Sequence, residues 1–341
     1  MPFSAALRLL FYILIYEIRE VIGYHNERKY NVKLIYLRVK TPDLHTLSIA
    51  LPPIFNFSEC LSFLGRNSRE CLHKVDENRL LKLVQSGETL ILTEVSHTPA
   101  SLQIKILNGK PSESDAENIK RYFTLLFDLE STLEDFYRQV QKDKVLHGLT
   151  RKYHGLRLIG MPDLFEALCW AITGQQINLN FAYTLKRNLV HAMGSSIEYE
   201  GERYYAFPGP EVIYNSSAGD FSRLQYSGKK GEYIREVARQ FIEEGLSRES
   251  LIACGSREAV MKRLLSIRGV GEWTAEYVLM KCLKFPDAFP VADVGIHNAI
   301  RNQLNLPQKP SIAEIKQLAK GWKGWEAYAT FYLWRSLISR E

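Results

Sequence analysis

The 341-residue sequence predicts an α+β protein, in which a small antiparallel sheet lobe precedes a mainly α-helical domain. Two observations support this fold class. Short alternating runs typical of strands follow one another between residues 46 and 108, with turn residues between them. After a linker at 108–115 that contains Gly, Pro and Ser, apolar residues recur at helical spacing almost to the end. We therefore expect an extension at 1–45, an α+β lobe at 46–111 and an all-α domain at 112–341.

The apolar run in the extension, from Leu9 to Tyr16, is much shorter than the ~20 residues that a membrane-spanning helix needs. Charged residues at 17–20 occupy the place where a signal peptide would have small residues. We interpret 1–45 as a docked or loosely ordered extension. We expect a cytoplasmic protein with no membrane partner.

The sheet lobe begins with a strand and a short helix. Alternation predicts a strand over 46–51, and Asn56 or Ser58 is a candidate N-cap for a helix that ends at Leu64. Four further runs have the composition of strands, and they lie at 71–75, 80–84, 89–95 and 102–107. A meander that follows one strand–helix pair implies an antiparallel sheet backed by a helix.

Helical spacing predicts about ten short helices after the linker. The predicted ranges are 115–126, 130–141, 163–173, 178–193, 229–244, 248–254, 257–266, 272–284, 294–303, 311–320 and 324–338.

Composition narrows the function only slightly. Hydrophobic residues make up 46% of the chain and charged residues 24%, which is ordinary for a protein with a buried core. The net charge of +6 suits a polyanionic partner, but spread over 341 residues it gives too weak an electrostatic field to demonstrate one. The five cysteines are scattered without a CxxC pair. They indicate reduced thiols and support neither a zinc site nor a four-cysteine iron–sulfur site.

Two glycines interrupt the helical pattern between 257–266 and 272–284. Gly269 can adopt a positive φ, and Gly271 leaves the start of the next helix uncovered. Backbone N–H groups at that helix start suit a phosphate, and the Thr274 hydroxyl could add a contact. Neighbouring basic residues favour such a hairpin, namely Lys262, Arg263 and Arg268. The alternative is a tight helix–helix turn that binds nothing.

The helix after this hairpin has two apolar faces. One face is an ordinary core stripe of Ala275, Val278, Leu279 and Cys282. The nearly opposite face contains Trp273, Tyr277, Met280 and Lys284. An aromatic stripe usually packs in the hydrophobic core, but beside a phosphate site it could line a cleft the size of a nucleobase.

A single carboxylate, Asp293, follows in the apolar stretch 289–296. It is a candidate N-cap for the helix at 294–303. That role is compatible with chemistry, because a helix N-terminus favours the ionised carboxylate at the edge of a cleft.

These residues resemble the helix-hairpin-helix superfamily of DNA glycosylases. The shared pattern is Leu265-x-Ile267-x-Gly269-Val270-Gly271-x-x-Thr274-Ala275, with Asp293 twenty residues after Trp273. Within the superfamily the chain is similar to bacterial DNA-3-methyladenine glycosylase II over roughly residues 46–340. Supporting stretches lie at 155–157, 174–177, 272–277 and 322–334.

The resemblance implies a role for each matching position. Asp293 matches the catalytic aspartate. The walls of a pocket for the flipped base are matched by Trp273, Tyr277, Trp334 and Phe63. The hairpin positions that contact the DNA backbone in the family correspond to Gly269, Val270, Gly271 and Thr274. The backbone carbonyls that hold a monovalent cation, Na⁺ or K⁺, which bridges to a DNA phosphate, correspond to those of Leu265, Ile267 and Val270.

Gln176 matches the wedge that fills the gap left by a flipped nucleotide. The enterobacterial type has an apolar wedge at this position, so the glutamine leaves its neighbour Ile177 as a second candidate.

The implied activity is the release of alkylated purines, of the 3-methyladenine type, from double-stranded DNA in base excision repair. No cofactor is expected for catalysis, and we expect a nucleoid-associated monomer without an obligate protein partner. Strand-cleaving relatives carry a lysine at the position of Trp273, so the tryptophan predicts base release without strand cleavage. The alternatives are a glycosylase for another lesion on the same scaffold and a non-catalytic DNA-binding module, in which Asp293→Asn would change nothing.

Overall fold

The structure is a computed structural model that describes residues 46–76 and 78–338. The extension predicted at 1–45 and its apolar run lie outside the described residues. Among the residues described, no helix is both long enough and apolar enough to cross a lipid bilayer.

Five strands form one antiparallel sheet in the order β1-β5-β4-β3-β2. Their bounds are Thr46–Ala50 (β1), His73–Asp76 (β2), Arg79–Ser86 (β3), Thr89–His97 (β4) and Ser101–Ile106 (β5). Helix α1 (Phe57–Leu64) follows β1, and the Asn56 side chain accepts the Glu59 N–H at its start. The strand–helix–meander prediction and the Asn56 cap are confirmed. Helix α1 buries Phe57, Cys60, Leu61 and Leu64 in the core.

Helices dominate the rest of the described chain. They are Glu113–Phe127 (α2), Leu133–Gln139 (α3), His147–Lys152 (α4), Leu164–Gly174 (α5), Leu179–Met193 (α6), Pro210–Tyr214 (α7), Ala218–Arg223 (α8), Gly228–Glu243 (α9), Arg248–Ile252 (α10), Arg257–Leu265 (α11), Glu272–Val278 (α12), Val294–Gln303 (α13), Ile312–Ala319 (α14) and Glu326–Ser336 (α15). The predicted helices all form, and α4, α7 and α8 add to them.

The expectation of an all-α domain over 112–341 is wrong at one place. Strands β6 (Ser196–Tyr199) and β7 (Glu202–Tyr205) form a hairpin. Glu200 and Gly201 both have positive φ, of 50° and 78°, which is the pattern of the two-residue turn that best matches strand twist. Tyr204 packs with Leu83 and Leu92 of the five-stranded sheet, so the hairpin covers an apolar patch there.

The helix predicted over 272–284 also changes character along its length. Regular α12 ends at Val278, and a π-helical turn follows at Leu279–Leu283. Met280 is fully buried in the main core instead of facing a cleft, whereas Lys281 lines a cavity with Tyr277. Such π-helical turns are frequent at functional sites.

The sheet lobe and the helices share one hydrophobic core. It contains Phe57 and Leu61 of α1, Phe127 of α2 and Phe331 of α15. A buried ion pair crosses the same junction, between Arg335 of α15 and Glu59 of α1 at 3.0 Å. This shared core fixes α1, and therefore Phe63 and Arg66, against the helical domain.

Candidate functional site

The Asp293 carboxylate accepts hydrogen bonds from four donors. As the N-cap of α13, its Oδ1 accepts the N–H groups of Gly295 at 2.8 Å and Ile296 at 3.3 Å. The Trp334 indole donates to the same oxygen at 2.9 Å, and the Trp273 indole donates to Oδ2 at 3.0 Å. The predicted N-cap is therefore confirmed, and two distant tryptophans fix the carboxylate in one orientation.

Three of the four predicted pocket residues lie together. The Tyr277 ring is 5.5 Å from Trp273 and 5.9 Å from Trp334, measured between centroids. Gly295 makes the approach of Trp334 possible, because a Cβ at Gly295 would lie 3.1 Å from its indole and 2.8 Å from Asp293 Oδ1. The result is an aromatic surface joined directly to a fixed carboxylate.

Phe63 is placed differently, because it is buried with only 4% exposure. The Phe331 ring lies 4.4 Å from it, and the guanidinium carbon of Arg66 lies 4.0 Å from the ring centroid. Arg66 therefore covers the ring that was predicted to be a pocket wall.

A cavity of about 60 Å³ lies next to Tyr277 and Phe63. Trp170 is buried and lines this cavity, and its indole donates to the Tyr277 hydroxyl at 2.9 Å. Burial raises the pKa of Tyr277 above its usual range, so its hydroxyl stays protonated. The hydroxyl donates in turn towards the Met161 sulfur at 3.8 Å.

The glycine hairpin has the backbone geometry that the sequence predicted. Gly269 has a φ of 95°, and a Cβ there would lie 2.3 Å from the Tyr233 ring, so both its conformation and its packing require glycine. Gly271 is the N-cap of α12, and apart from its two chain neighbours no residue has an atom within 4 Å of the position of its missing Cβ. The start of α12 is therefore open for the approach of a bulky anion.

Thr274 does not offer its hydroxyl to this opening. It is 1% exposed, and its Oγ1 accepts a hydrogen bond from the Gln175 amide at 3.0 Å. The same amide donates to the carbonyl oxygen of Gly269 at 2.9 Å. The predicted direct contact of the Thr274 side chain with a phosphate is therefore wrong. Gln175 instead links the loop between α5 and α6 to the glycine hairpin.

The two wedge candidates follow Gln175 directly. Gln176 is exposed and has a positive φ of 55°, which is uncommon for a residue other than glycine. Ile177 is partly buried and packs with the group that contains Trp170 and Tyr183. Of the two candidates, Gln176 is the one that projects from the loop into solvent.

The predicted cation ligands lie at the end of α11 and in the turn after it. Leu265 is the last residue of α11, where carbonyl groups have no following helical partner. The Ile267 carbonyl accepts the Val270 N–H at 3.0 Å and keeps a second lone pair. Neutral backbone oxygens of this kind suit a hard monovalent cation.

Both lysines on this segment donate to backbone carbonyls of the chain around residues 158–159. Lys281 donates to the Ile159 carbonyl, and burial lowers its pKa well below the usual range. Lys284 donates to the Leu158 carbonyl at 2.9 Å, and burial lowers its pKa to about 8. The His297 ring, one turn after Asp293, is held between the carbonyl oxygens of Pro310 and Val291, at 2.7 and 3.1 Å.

Two family models match consecutive parts of the chain. The model described as HhH-GPD superfamily base excision DNA repair protein matches residues 169–324, which include the hairpin and Asp293. The model of the 8-oxoguanine DNA glycosylase N-terminal domain matches residues 46–168, which include the sheet lobe. The fold and the site thus define a base excision DNA repair protein.

Relatives among known proteins narrow the class. The chain is 43% identical to a DNA-3-methyladenine glycosylase of Bacillus subtilis over 292 residues, which is 85% of this chain and 96% of the relative. It is 27% identical to DNA-3-methyladenine glycosylase 2 of Escherichia coli, over 83% of this chain and 94% of the relative. The chain belongs to the DNA-3-methyladenine glycosylases of the HhH-GPD superfamily.

Solved structures agree on the fold. A 3-methyladenine DNA-glycosylase from Archaeoglobus fulgidus superposes with a TM-score of 0.70 at 21% identity, over 84% of this chain and 97% of that one. An 8-oxoguanine glycosylase/lyase from Clostridium acetobutylicum gives a TM-score of 0.65 at 18% identity, over 85% and 96%. Solved structures with different lesions in their names thus share this fold.

Proposed function

We propose that this protein hydrolyses the N-glycosidic bond of alkylated purines, of the 3-methyladenine type, in double-stranded DNA, and that it does not cut the strand. The observation that carries the proposal is the Asp293 carboxylate, held by Trp273, Trp334 and the start of α13 beside an aromatic surface. Membership of the family supports the reaction class.

The bond to be broken lies inside the duplex, so the nucleotide has to be rotated out of the stack first. Cleavage then builds positive charge on the sugar, as in glycoside hydrolysis. Asp293 is fixed before the reaction starts, so it can stabilise that charge without reorganising, and it can orient the attacking water. An alkylated purine is already cationic and leaves readily, so no strong general acid is required.

The aromatic group accounts for binding of the base. The electron-rich rings of Trp273 and Trp334 both lie within 6 Å of the Tyr277 ring, measured between centroids. A cationic purine is attracted to such rings by about 0.5–2 kcal/mol per contact. Because both indoles also bond Asp293, a base that stacks on them is placed next to the carboxylate.

The hairpin accounts for binding of the DNA backbone. The open N-terminus of α12 at Gly271 suits a phosphate. The carbonyls of Leu265, Ile267 and Val270 would hold a Na⁺ or K⁺ ion, which supplies a positive charge between the turn and a phosphate. Gln176 is proposed as the wedge, since its exposed left-handed conformation projects it from the loop.

The absence of strand cleavage is proposed from the chemistry around Asp293. A Schiff base requires an amine, and Trp273 has none. Lys281 and Lys284 already donate to the carbonyls of Ile159 and Leu158, and burial lowers the pKa of both. The test is borohydride trapping on duplex DNA with a methylated base. We expect no covalent adduct with wild type. An adduct that forms equally in wild type and in the Lys281→Met and Lys284→Met variants would point to another amine, and it would overturn the proposed absence of strand cleavage.

Base release from methylated duplex DNA tests the reaction itself. Wild type should release 3-methyladenine, and Asp293→Asn should slow single-turnover release by about 10²–10⁴-fold. Asp287→Asn is the control, because that carboxylate is exposed and lies 3.1 Å from the Arg257 guanidinium. Equal release by wild type and Asp293→Asn would show that Asp293 is not the catalytic residue, and release by neither protein would leave a DNA-binding module as the better description. Release of 8-oxoguanine from an oxidised duplex, without release of 3-methyladenine from the methylated one, would assign the scaffold to another lesion.

A further inference from the structure

The cavity behind Tyr277 is lined by several charged groups. At about 60 Å³ it has room for only a few water molecules, so a bound purine would reach it with one edge. Its walls include four basic side chains and two carboxyl groups, namely Arg66, Lys82, Lys186, Lys281, Glu70 and Glu166. Lys186 and Glu70 neutralise each other in a buried ion pair at 2.5 Å. Burial raises the pKa of Glu166, which favours its neutral form.

Arg66 carries a permanent charge against Phe63, one of the four predicted pocket residues. Its guanidinium carbon lies 4.0 Å from the Phe63 centroid and 5.7 Å from that of Tyr183. One N–H donates to the Phe63 carbonyl at 2.7 Å, which pins the group at the cavity wall. Across the described ranges, 46–76 and 78–338, it pairs with no carboxylate. A guanidinium has five N–H donors, so several remain for a ligand.

Lys281 is the other cation near Phe63, with its Nζ 5.3 Å from that ring. It is a weaker candidate for reading a base, because it already donates to the Ile159 carbonyl and burial lowers its pKa well below the usual range. Arginine, by contrast, stays charged and presents its donors in a fixed plane.

We propose that Arg66 is a specificity-determining residue that sorts flipped purines by the group at carbon 6; this rests on the glycosylase function proposed above. A 6-oxopurine presents an acceptor oxygen, which is the edge that arginine recognises in guanine. A 6-aminopurine presents N–H donors at the same place, where they meet the donors of Arg66. The positive wall also opposes the cation–π attraction of Trp273, Tyr277 and Trp334 for a charged base, so base charge alone does not set the preference.

The test uses one substrate preparation and reads a ratio. Methylated duplex DNA contains 3-methyladenine and 3-methylguanine, which carry the methyl group at the same atom and present an amino group and a carbonyl oxygen, respectively, at carbon 6. Guanine also carries N–H donors at position 1 and at carbon 2, but a guanidinium has no acceptor for them. Released bases are separated by chromatography, and the 3-methylguanine to 3-methyladenine ratio is compared between variants. Arg66→Ala should lower this ratio by about tenfold relative to wild type, and Arg66→Lys should lower it less. Because both bases come from one enzyme sample, the ratio is independent of the fraction that is folded.

Arg69→Ala is the matched control, since Arg69 lies three residues further along and outside the cavity wall; its ratio should equal that of wild type. Arg66→Gln keeps part of the stem over Phe63 without the charge, and it should resemble Arg66→Ala. An unchanged ratio in Arg66→Ala and Arg66→Gln, whether the absolute rates fall or not, would overturn the role of Arg66. Failure of wild type to release either base would instead overturn the proposed function.

Discussion

Each side chain around Asp293 serves two purposes. Trp273 and Trp334 form part of the aromatic surface and also donate to the carboxylate. Asp293 in turn sets the orientation of both indoles as well as the start of α13. A change at any of these residues therefore alters base binding and chemistry together. In particular, the amide of Asp293→Asn can accept from only one side, so it leaves one indole N–H without its acceptor.

The residue that allows this arrangement is Gly295. Adding a methyl group in Gly295→Ala would place it 2.8 Å from Asp293 Oδ1 and 3.1 Å from the Trp334 ring. Trp334 has to move, and its hydrogen bond to Asp293 is lost. We expect single-turnover base release to slow by about 10- to 100-fold, since one donor to a catalytic charge is worth on the order of 1.5–3 kcal/mol. Rapid-quench kinetics on methylated duplex DNA measures this.

Gly219→Ala is the matched control for that experiment. Gly219 is also the second residue of a helix after a side-chain N-cap, but the nearest atom to its added methyl is 3.6 Å away. Its release rate should be that of wild type. If Gly295→Ala is as fast as Gly219→Ala, the Trp334–Asp293 bond has no role in the reaction.

Sequence reasoning identified the aromatic and acidic residues of the site, because their types and spacing carry information. It missed Gln175, Arg66 and Trp170. Gln175 bonds a residue 94 positions away, and Trp170 bonds Tyr277 across 107 positions. The neighbouring Gln176 was chosen by its match to a pattern, whereas the role of Gln175 depends on a long-range contact. Arg66 shares the helix end of Phe63, but only the fold shows that it covers that ring.

At the scale of elements, the site depends on how the α5–α6 loop meets the α11–α12 hairpin. The two amide hydrogen bonds of Gln175 join them, one to the Gly269 carbonyl and one to the Thr274 hydroxyl. Lys230 of α9 donates to the Thr173 carbonyl at 2.7 Å, close to the same loop. The loop that carries the proposed wedge is therefore anchored to the proposed phosphate site.

Gln175→Ala should uncouple these two elements. It leaves the buried Thr274 hydroxyl and the Gly269 carbonyl without their donor, which costs about 1–3 kcal/mol in the free energy of unfolding. We expect a lower urea midpoint together with weaker binding to duplex DNA that contains an abasic site. Gln176→Ala is the comparison, because Gln176 is exposed: its urea midpoint should equal that of wild type while its DNA binding falls. Identical behaviour of the two variants in both measurements would contradict this division.

Elements with strong periodicity were predicted well, and the exceptions have physical causes. The β6–β7 hairpin covers an apolar patch of the five-stranded sheet, so its stability comes from tertiary contacts rather than from its own short strands. The π-helical turn at Leu279–Leu283 leaves no mark in the spacing of apolar residues. The prediction assumed a regular helix and therefore placed Met280 and Lys284 on the same face as Tyr277, whereas in the structure Lys281 lines the cavity with Tyr277.

At the scale of the whole molecule, a polar layer lies where the sheet lobe meets the helices. Glu70 and Lys186 pair there across the junction. Burial alone would raise the pKa of Glu70, but the Lys186 ammonium outweighs it and holds this pKa well below its usual range. Stability from Glu70 is therefore present above its unfolded pKa and is lost only in strong acid. Paired charges at this junction hold the lobes in one arrangement under neutral conditions.

His73, at the start of β2, makes the same junction sensitive to milder acid. Burial lowers the pKa of His73 to about 4, below its ordinary value of 6.5. Between those two pH values the unfolded chain binds a proton that the folded chain does not, so stability falls as pH falls from 6.5 towards 4.

His73→Gln keeps an N–H within reach of the Leu64 carbonyl, which the His73 ring approaches at 3.2 Å, but it cannot titrate. Urea unfolding at pH 7 and pH 4.5 should show wild type losing about 2 kcal/mol more than His73→Gln. Burial raises the pKa of Glu166, so this residue adds a pH dependence of stability of the opposite sign in both proteins. The readout is therefore the difference between the two proteins in the stability that each loses. Parallel losses in the two proteins would mean that His73 is hydrated in the folded state, and that the lobe junction is open to water at this point.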